Sequence, residues 1–355
     1  MMLFRSARAS DLDAIYHLAE QCGAGMTTLP KDKEILSKRL DWSCASFNKA
    51  VSYPCNEYYL FVLEEPDTSR LVGTSAIEAA IGYELPFYSY KLSKRTRICH
   101  SLTIRSDYEV LSLVNDNQGR SEICTLFLEP TSRHSSNGLL LSRSRFLFMA
   151  HYPNRFADTV IAEMRGISDE EGNSPFWDHV GRHFFHLPFA EADRLTLATN
   201  KQFIADLMPR NSLYVKLLAP AAQAVIGKPH QSTIPAMNIL LREGFRYNGY
   251  VDIFDAGPTI EAPCSQVRTI AASRVISISN ISDEVSSKRF LLANTRLDFR
   301  ATVSQVLFNL KQSTCIISKK TAELLEVKPG DCLRIAPLQI DESTIFSESQ
   351  HEKTA

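Results

Sequence analysis

The sequence predicts an α+β protein: a mixed, mostly antiparallel twisted sheet flanked by helices, with a small β-rich subdomain at its C-terminal end. Three observations predict it. The chain opens in the order strand, helix, helix, hairpin. A later strand runs into a polar turn and a helix. Beyond about residue 264, helical periodicity gives way to short β-rich pieces between turns.

Leu3, Phe4 and Arg5 form the first short strand. Ser10 ahead of Asp11 and Asp13 supplies a cap and an acidic first turn. Leu12, Ile15, Tyr16 and Ala19 fall at helical spacing until Gly23 and Gly25 end the run. A second helix begins after Pro30, with Leu36, Leu40, Cys44 and Phe47 in one stripe. Residues 58–63 and 71–81 read as a hairpin around a turn-rich hexapeptide. Residues 82–120 are polar and irregular and read as an insertion. A strand at 123–128, a polar loop at 131–138 and a helix from 139 to about 152 follow, the helix burying Leu140, Ser144, Leu147 and Phe148.

Residues 160–164 form another strand, and Ser174-Pro175 starts a helix through Phe185. Helical pieces occupy 200–226, Pro235 opens a helix ending at Gly244, and 245–254 is a strand turned by Asp255-Ala-Gly-Pro258. The β-rich pieces are 275–278, 290–293, 301–308, 315–318 and 332–335. The expected layout is a main domain over 1–264 carrying the 82–120 insertion, a small subdomain over 265–340, and a polar tail over 341–355.

Composition narrows the function. Across 355 residues, 39 Lys plus Arg meet 40 Asp plus Glu, 44% of residues are hydrophobic and 22% charged. That balance fits a soluble globular protein and excludes extensive disorder and nucleic-acid binding by bulk positive field. It leaves room for a local basic pocket holding a phosphorylated ligand. No apolar run approaches the roughly 18–20 residues that cross a bilayer, and the N-terminus lacks the apolar core of a signal peptide. The 8 cysteines are scattered without a CxxC pair, which reads as reduced thiols in the cytoplasm.

A polar turn that enters a helix N-terminus builds an anion site, because the first amides lack internal acceptors and the dipole is positive there. Here the turn reads Arg133-His-Ser-Ser136-Asn-Gly138, with Arg143 and Arg145 as further sources of charge. A solvated loop with surface arginines is the competing local reading. The order of elements and this turn resemble the GNAT acyltransferase superfamily, whose Arg/Gln-x-x-Gly-x-Gly/Ala loop wraps the pyrophosphate of coenzyme A. Arg133 and Gly138 match that pattern, and Ser136 stands where the middle glycine is usual.

Longer words resemble one family within it, arginine N-succinyltransferase. They are Gly23 to Pro30, Glu122 to Leu128, Ala162 to Gly166, Asp169 to Trp177, Glu243 to Tyr247 and Asp252 to Thr259. The resemblance implies transfer of succinyl from succinyl-CoA, a co-substrate rather than a bound cofactor, to the α-amine of L-arginine. It implies a proton donor at His230, a succinyl-CoA contact at Leu126, no metal, and an oligomer of one chain or of paired homologous subunits. The alternatives are a GNAT-fold acyltransferase with another acyl-CoA or amine, such as ornithine, and a non-catalytic subunit.

Amide formation from a thioester needs a neutral amine, a polarised carbonyl and a proton for the departing thiolate. His230 lies just ahead of a helix N-terminus, where the dipole disfavours imidazolium; a neutral ring there is expected to accept the amine proton and return one to sulfur. Leu126 would act through its backbone, pairing the pantetheine arm like an added strand. Cys124 reads as a small buried thiol. No Glu follows His179 in the manner of HExxH and no acidic third ligand is obvious, so His179, His183 and His186 read as a helix end rather than a metal site. Glu163, Asp169 and Glu170 are candidates for a substrate guanidinium, and Arg165 for the succinyl carboxylate.

Overall fold

A computed structural model describes residues 1–23, 26–169, 172–198, 201–283, 288–309 and 313–339. The first half carries β1 (Leu3–Ser6), α1 (Leu12–Glu20), α2 (Lys33–Asn48), β2 (Tyr58–Glu65), β3 (Arg70–Glu78), β4 (Ser89–Cys99), β5 (Ile104–Val114), β6 (Ser121–Leu128), α3 (Asn137–His151) and β7 (Thr159–Glu163). Next come β8 (Leu213–Tyr214), β9 (Arg246–Val251) and β10 (Pro258–Pro263). The C-terminal part adds β11 (Arg274–Ile281), β12 (Arg289–Asn294), β13 (Arg300–Gln305), β14 (Leu307–Asn309), β15 (Thr314–Ile317) and β16 (Cys332–Pro337).

All these strands join one sheet, in the order β14-β15-β11-β16-β12-β13-β1-β2-β3-β6-β7-β10-β9-β4-β5-β8. Every neighbouring pair is antiparallel except β6–β7 and β11–β15. This is the expected mixed, mostly antiparallel sheet. Helices cover both of its central faces, which is why β2 reads as an unbroken apolar run. Its Tyr59, Phe61 and Leu63 pack with Phe148 of α3, while Tyr58, Leu60 and Val62 pack toward α1 and α2. The Tyr59 and Phe61 rings lie 5.1 and 5.3 Å from the Phe148 ring. β1 joins the two halves of the sheet, pairing β2 on one side and β13 on the other.

Several local readings change. Ser10 makes no cap; Asp11 accepts from the Arg8 amide at 2.7 Å and pairs with Arg5 at 2.8 Å. Asp32 caps α2, accepting from the amides of Glu34 and Ile35 at 2.9 and 3.0 Å. The supposedly irregular 82–120 stretch contains a long hairpin, β4–β5. Only its inner end, at Tyr90, Val110 and Leu111, reaches the core, so the outer half shows no apolar alternation. β10 went unread because prolines begin and end it, and β9 stops at Val251.

The helix expected through Phe185 is two short pieces, Pro175–His179 and Arg182–Phe185. A Cβ on Gly181 between them would sit 2.2 Å from the Trp177 ring. Within 200–226 the helices Gln202–Leu207 and Pro220–Val225 flank β8. The β-rich end also contains a helix, Lys319–Leu325, whose cap Ser318 accepts from the Thr321 amide. The tail from 341 and Glu170 lie outside the described residues.

Candidate active site

The site begins with a broken ladder. β6 and β7 pair only at Ser121↔Val160 and Glu122↔Ile161. Farther along, β6 carries Thr125 at φ 55, a left-handed conformation that a β-branched residue adopts only under constraint. Two hydroxyls supply that constraint. Tyr58 Oη lies 3.0 Å from Thr125 Oγ1, and Thr74 Oγ1 donates to the Thr125 carbonyl at 3.0 Å. The resulting bulge shifts the β3–β6 register and, among the described residues, leaves Leu126 with no strand partner. A cleft of about 1300 Å³ opens here, walled also by the α1–α2 loop, the β6–α3 turn and the segment ahead of helix Ile234–Arg242.

The turn forms one end of the cleft. Arg133 is exposed and its Nε donates to the Leu128 carbonyl at 2.9 Å. Among the described residues, no backbone acceptor meets the amides of Gly138 and Leu139, the usual condition of a helix N-terminus. Ser136 has φ −110, which any residue adopts, so the missing glycine costs no strain there; the left-handed residue is Ser135, φ 54. Ser135 and Gly138 line the cleft and Ser136 does not. A Cβ on Gly138 would meet only Ile239 Cδ1, at 4.0 Å, so the folded chain itself does not require glycine there.

The other two arginines expected near this turn work elsewhere. Arg143 is buried against Glu243 at 2.8 Å and donates to the carbonyls of Pro337 and Leu338, tying the C-terminal strands to α3. Arg145 lies along the cleft floor, but its guanidinium donates to Ser142, Ala76 and Cys124. Both are buried because the helix they sit on is covered on both sides.

His230 lines the same cleft. Its backbone amide donates to the Arg165 carbonyl at 2.7 Å, and the Ser232 amide donates to Nδ1 at 3.1 Å. Ser232 Oγ lies 2.7 Å from the same nitrogen. A neutral imidazole that accepts at Nδ1 carries its proton on Nε2. In this arrangement the ring offers an Nε2–H donor to its surroundings. Burial holds His230 below its ordinary value, the Arg165 charge adds to this, and the Ser168 backbone opposes it.

Arg165 is half-buried, donates to Ser168 Oγ at 2.6 Å, and keeps a buried Nε without an acceptor. Asp169 lies at the exposed rim with both oxygens on Asn173, at 2.7 and 2.8 Å, so it shapes its own loop. Glu163 lines the cleft with a buried, unpartnered Oε1. Burial, then Asp252 and Glu122, raise its carboxyl well above the usual range. Asp252 and Asp255 hold the turn after β9: Asp252 accepts from Phe254 and Asp255 amides, and Asp255 from Gly166 and Gly257 amides. Asp193 is pushed up to about 7, mainly by burial and then by Asp252. Cys124 is buried and its thiol is raised far from thiolate formation, as befits a packing residue. His179, His183 and His186 are exposed on the short helices away from this cleft.

Comparison with known proteins supplies the family. Residues 2–269 match the arginine N-succinyltransferase beta subunit family, and 273–337 match its C-terminal domain. The chain belongs to the arginine N-succinyltransferase family. A relative named arginine N-succinyltransferase, from Photorhabdus laumondii, is 40% identical over 95% of this chain and 98% of its own. The subunit beta of that enzyme in Pseudomonas aeruginosa is 42% identical over 95% of this chain and 98% of its own. The solved structure of arginine/ornithine succinyltransferase subunit AI from Pseudomonas aeruginosa superposes with TM-score 0.87 at 38% identity, covering 96% of this chain and 99% of that one.

Membership makes the chain an acyltransferase. The residues read from the sequence as a succinyltransferase site mostly meet: Leu126, Arg133, Gly138, Glu163, Arg165, Asp169 and His230 all line one cleft. Glu122 and Asp193 also line it and were not picked out. Glu122 lay inside a quoted family word but resembled an ordinary strand-end charge. Asp193 sits on the helix Phe189–Ala198, where only tertiary burial distinguishes it.

Proposed function

We propose that the chain transfers the succinyl group from succinyl-CoA to the α-amino group of L-arginine by direct attack on the thioester. One observation carries the reading: a helix-terminus turn with free amides, the unpaired backbone of Leu126 and the His230 ring border a single opening between β6 and β7. The Gly138 and Leu139 amides with Arg133 take the pyrophosphate, and Ser136 enters only as the residue opening α3. Leu126 pairs the pantetheine arm through its backbone, and its N–H serves as the donor to the acyl carbonyl. Arg165 takes the distal carboxylate of succinate.

The arginine amine must lose a proton before attack. Asp193, near 7, has the proton affinity that this transfer requires. The amine then bonds to the carbonyl carbon, and the C–S bond breaks. The Nε2–H of His230 passes its proton to the departing thiolate. The second proton lost by the attacking nitrogen as the amide forms replaces it on that ring nitrogen. The reduced thiols support a cytoplasmic setting. The relatives named as subunits support assembly with like or homologous chains.

Free-thiol release by the full chain tests the proposal, with succinyl-CoA and acetyl-CoA each offered to arginine and ornithine. The expected result is release that needs both succinyl-CoA and arginine. Release with acetyl-CoA but not succinyl-CoA, or with no amine among those offered, overturns it.

A further inference from the structure

On the sheet face toward α1 and α2, two carboxylates stand directly opposite each other on neighbouring strands: Glu78 of β3 and Glu122 of β6. Directly opposed residues share a face, and like charges there destabilise the pair. Glu122 is only 7% exposed, and that exposed edge lines the cleft. Glu163, on the next strand, continues the row with its own unpartnered oxygen. Among the described residues, no hydrogen bond or ion pair reaches the carboxylate of Glu78 or Glu122.

The cations whose fields reach the pair are Lys201 and Arg39. Arg39 is engaged with the Thr28 carbonyl, and Lys201 opens the helix Gln202–Leu207. Removing one partner of a buried ion pair is strongly destabilising, because an uncompensated charge remains. A folded chain that keeps two such groups side by side therefore has a use for them that the free protein does not show.

We propose that Glu122 and Glu163, which both line the cleft, form the receptor for the side-chain cation of the acceptor amine, with Glu78 adding its charge from directly opposite Glu122. The inference rests on the acyl-transfer reading and adds to it the residues that select the acceptor. Two adjacent carboxylates present parallel acceptor pairs, which suit the N–H fork of a guanidinium better than a point-charge ammonium. The spacing also suits the chemistry. Glu122 lies four residues before Leu126, at most roughly 13 Å along a strand at about 3.3 Å per residue and less across the bulge at Thr125. An acyl carbonyl near Leu126 and a long amine with a charged tip fill that interval. Asp169, which the sequence offers for this role, is already committed to Asn173.

The test compares arginine, ornithine and citrulline, the last replacing the guanidinium by a neutral group of nearly the same shape. Calorimetry measures binding and thiol release measures turnover, with wild type, Glu122→Gln and Glu78→Gln. Wild type is expected to favour arginine over citrulline at least 100-fold in kcat/KM. Each variant is expected to cut that ratio tenfold or more through the arginine KM, leaving the KM for succinyl-CoA unchanged. A purely structural role would lower stability in the variants and leave the ratio intact. Thiol release with an undiminished ratio in a folded variant overturns the receptor and leaves the acyl-transfer reading standing. Arginine binding lost in the variants, without turnover in wild type, keeps the receptor and overturns the acyl-transfer reading. Neither binding nor turnover in wild type overturns both.

Discussion

The two ends of the cleft are built on opposite plans. At the β6–α3 turn the protein offers neutral backbone donors, held by the fold and made cationic in effect by the helix dipole. At the far end it offers the carboxyls of Glu122 and Glu163, backed by Glu78. Burial and the proximity of like groups raise the proton affinity of the first two, and they have no hydrogen-bond or ion-pair partner among the described residues. The first end is complete before any ligand arrives. The second is finished only by a cation. A fold can thus prepare an anion site at almost no electrostatic cost, whereas a cation site made of carboxylates burdens the empty protein.

The sharpest way to probe the contrast is where the two ends meet. His230→Ala removes the donor at the reacting centre and should lower kcat by roughly 10²–10⁴-fold, the usual range for a proton-transferring side chain. Steady-state thiol release with unchanged KM values for both substrates is the check. Loss confined to KM would move His230 from chemistry to binding. Next in size is Arg165→Gln. A charge-assisted hydrogen bond is worth about 1.5–3 kcal/mol, so succinyl-CoA should lose about 10–150-fold of its advantage over acetyl-CoA. An unchanged ratio would place the succinyl carboxylate elsewhere.

Gly138→Ala acts on the anion end alone. The added methyl finds room in the folded chain, its nearest neighbour being Ile239 Cδ1 at 4.0 Å. Replacing glycine within a helix stabilises by roughly 0.5–1 kcal/mol. The variant should therefore melt higher while its KM for succinyl-CoA rises about tenfold, because the methyl occupies space a phosphate needs. A higher melting temperature with unaltered KM would remove the turn from the cofactor site.

How much of this was legible follows the same division. The anion end is local: strand, turn and helix are contiguous in sequence, so Arg133, Gly138 and the α3 amides could be read from residues 123–152. His230 was readable from its place ahead of a helix, but its tautomer was not, since that depends on the Ser232 amide. The cation end is assembled across β3, β6 and β7, and Glu78 meets Glu122 only through sheet register. Likewise Arg143 and Arg145 look like surface charge along the sequence, and only packing on both sides of α3 reveals them as buried anchors. The β4–β5 hairpin escaped for the opposite reason: too little of it is buried for a pattern to show.

The burden on the cation end should also be measurable as a pH effect on the unliganded protein. Burial, and then the neighbouring Glu78, raise Glu122 to about 8 against an ordinary value of 4.5. Between those values the folded chain holds a proton that the unfolded chain has released, so stability falls as pH rises through that window. Glu163 and Asp193 are displaced in the same direction and add to the slope. Melting scans from pH 5 to 8 should therefore show a decline of a few degrees. Glu122→Gln should flatten it, because the amide cannot ionise. Arginine binds the ionised pair, so the stabilisation it gives should grow over the same interval, whereas CoA, bound at the backbone end, should stabilise almost equally at every pH. A CoA effect that climbs with pH as steeply as the arginine effect would erase the distinction between the two ends.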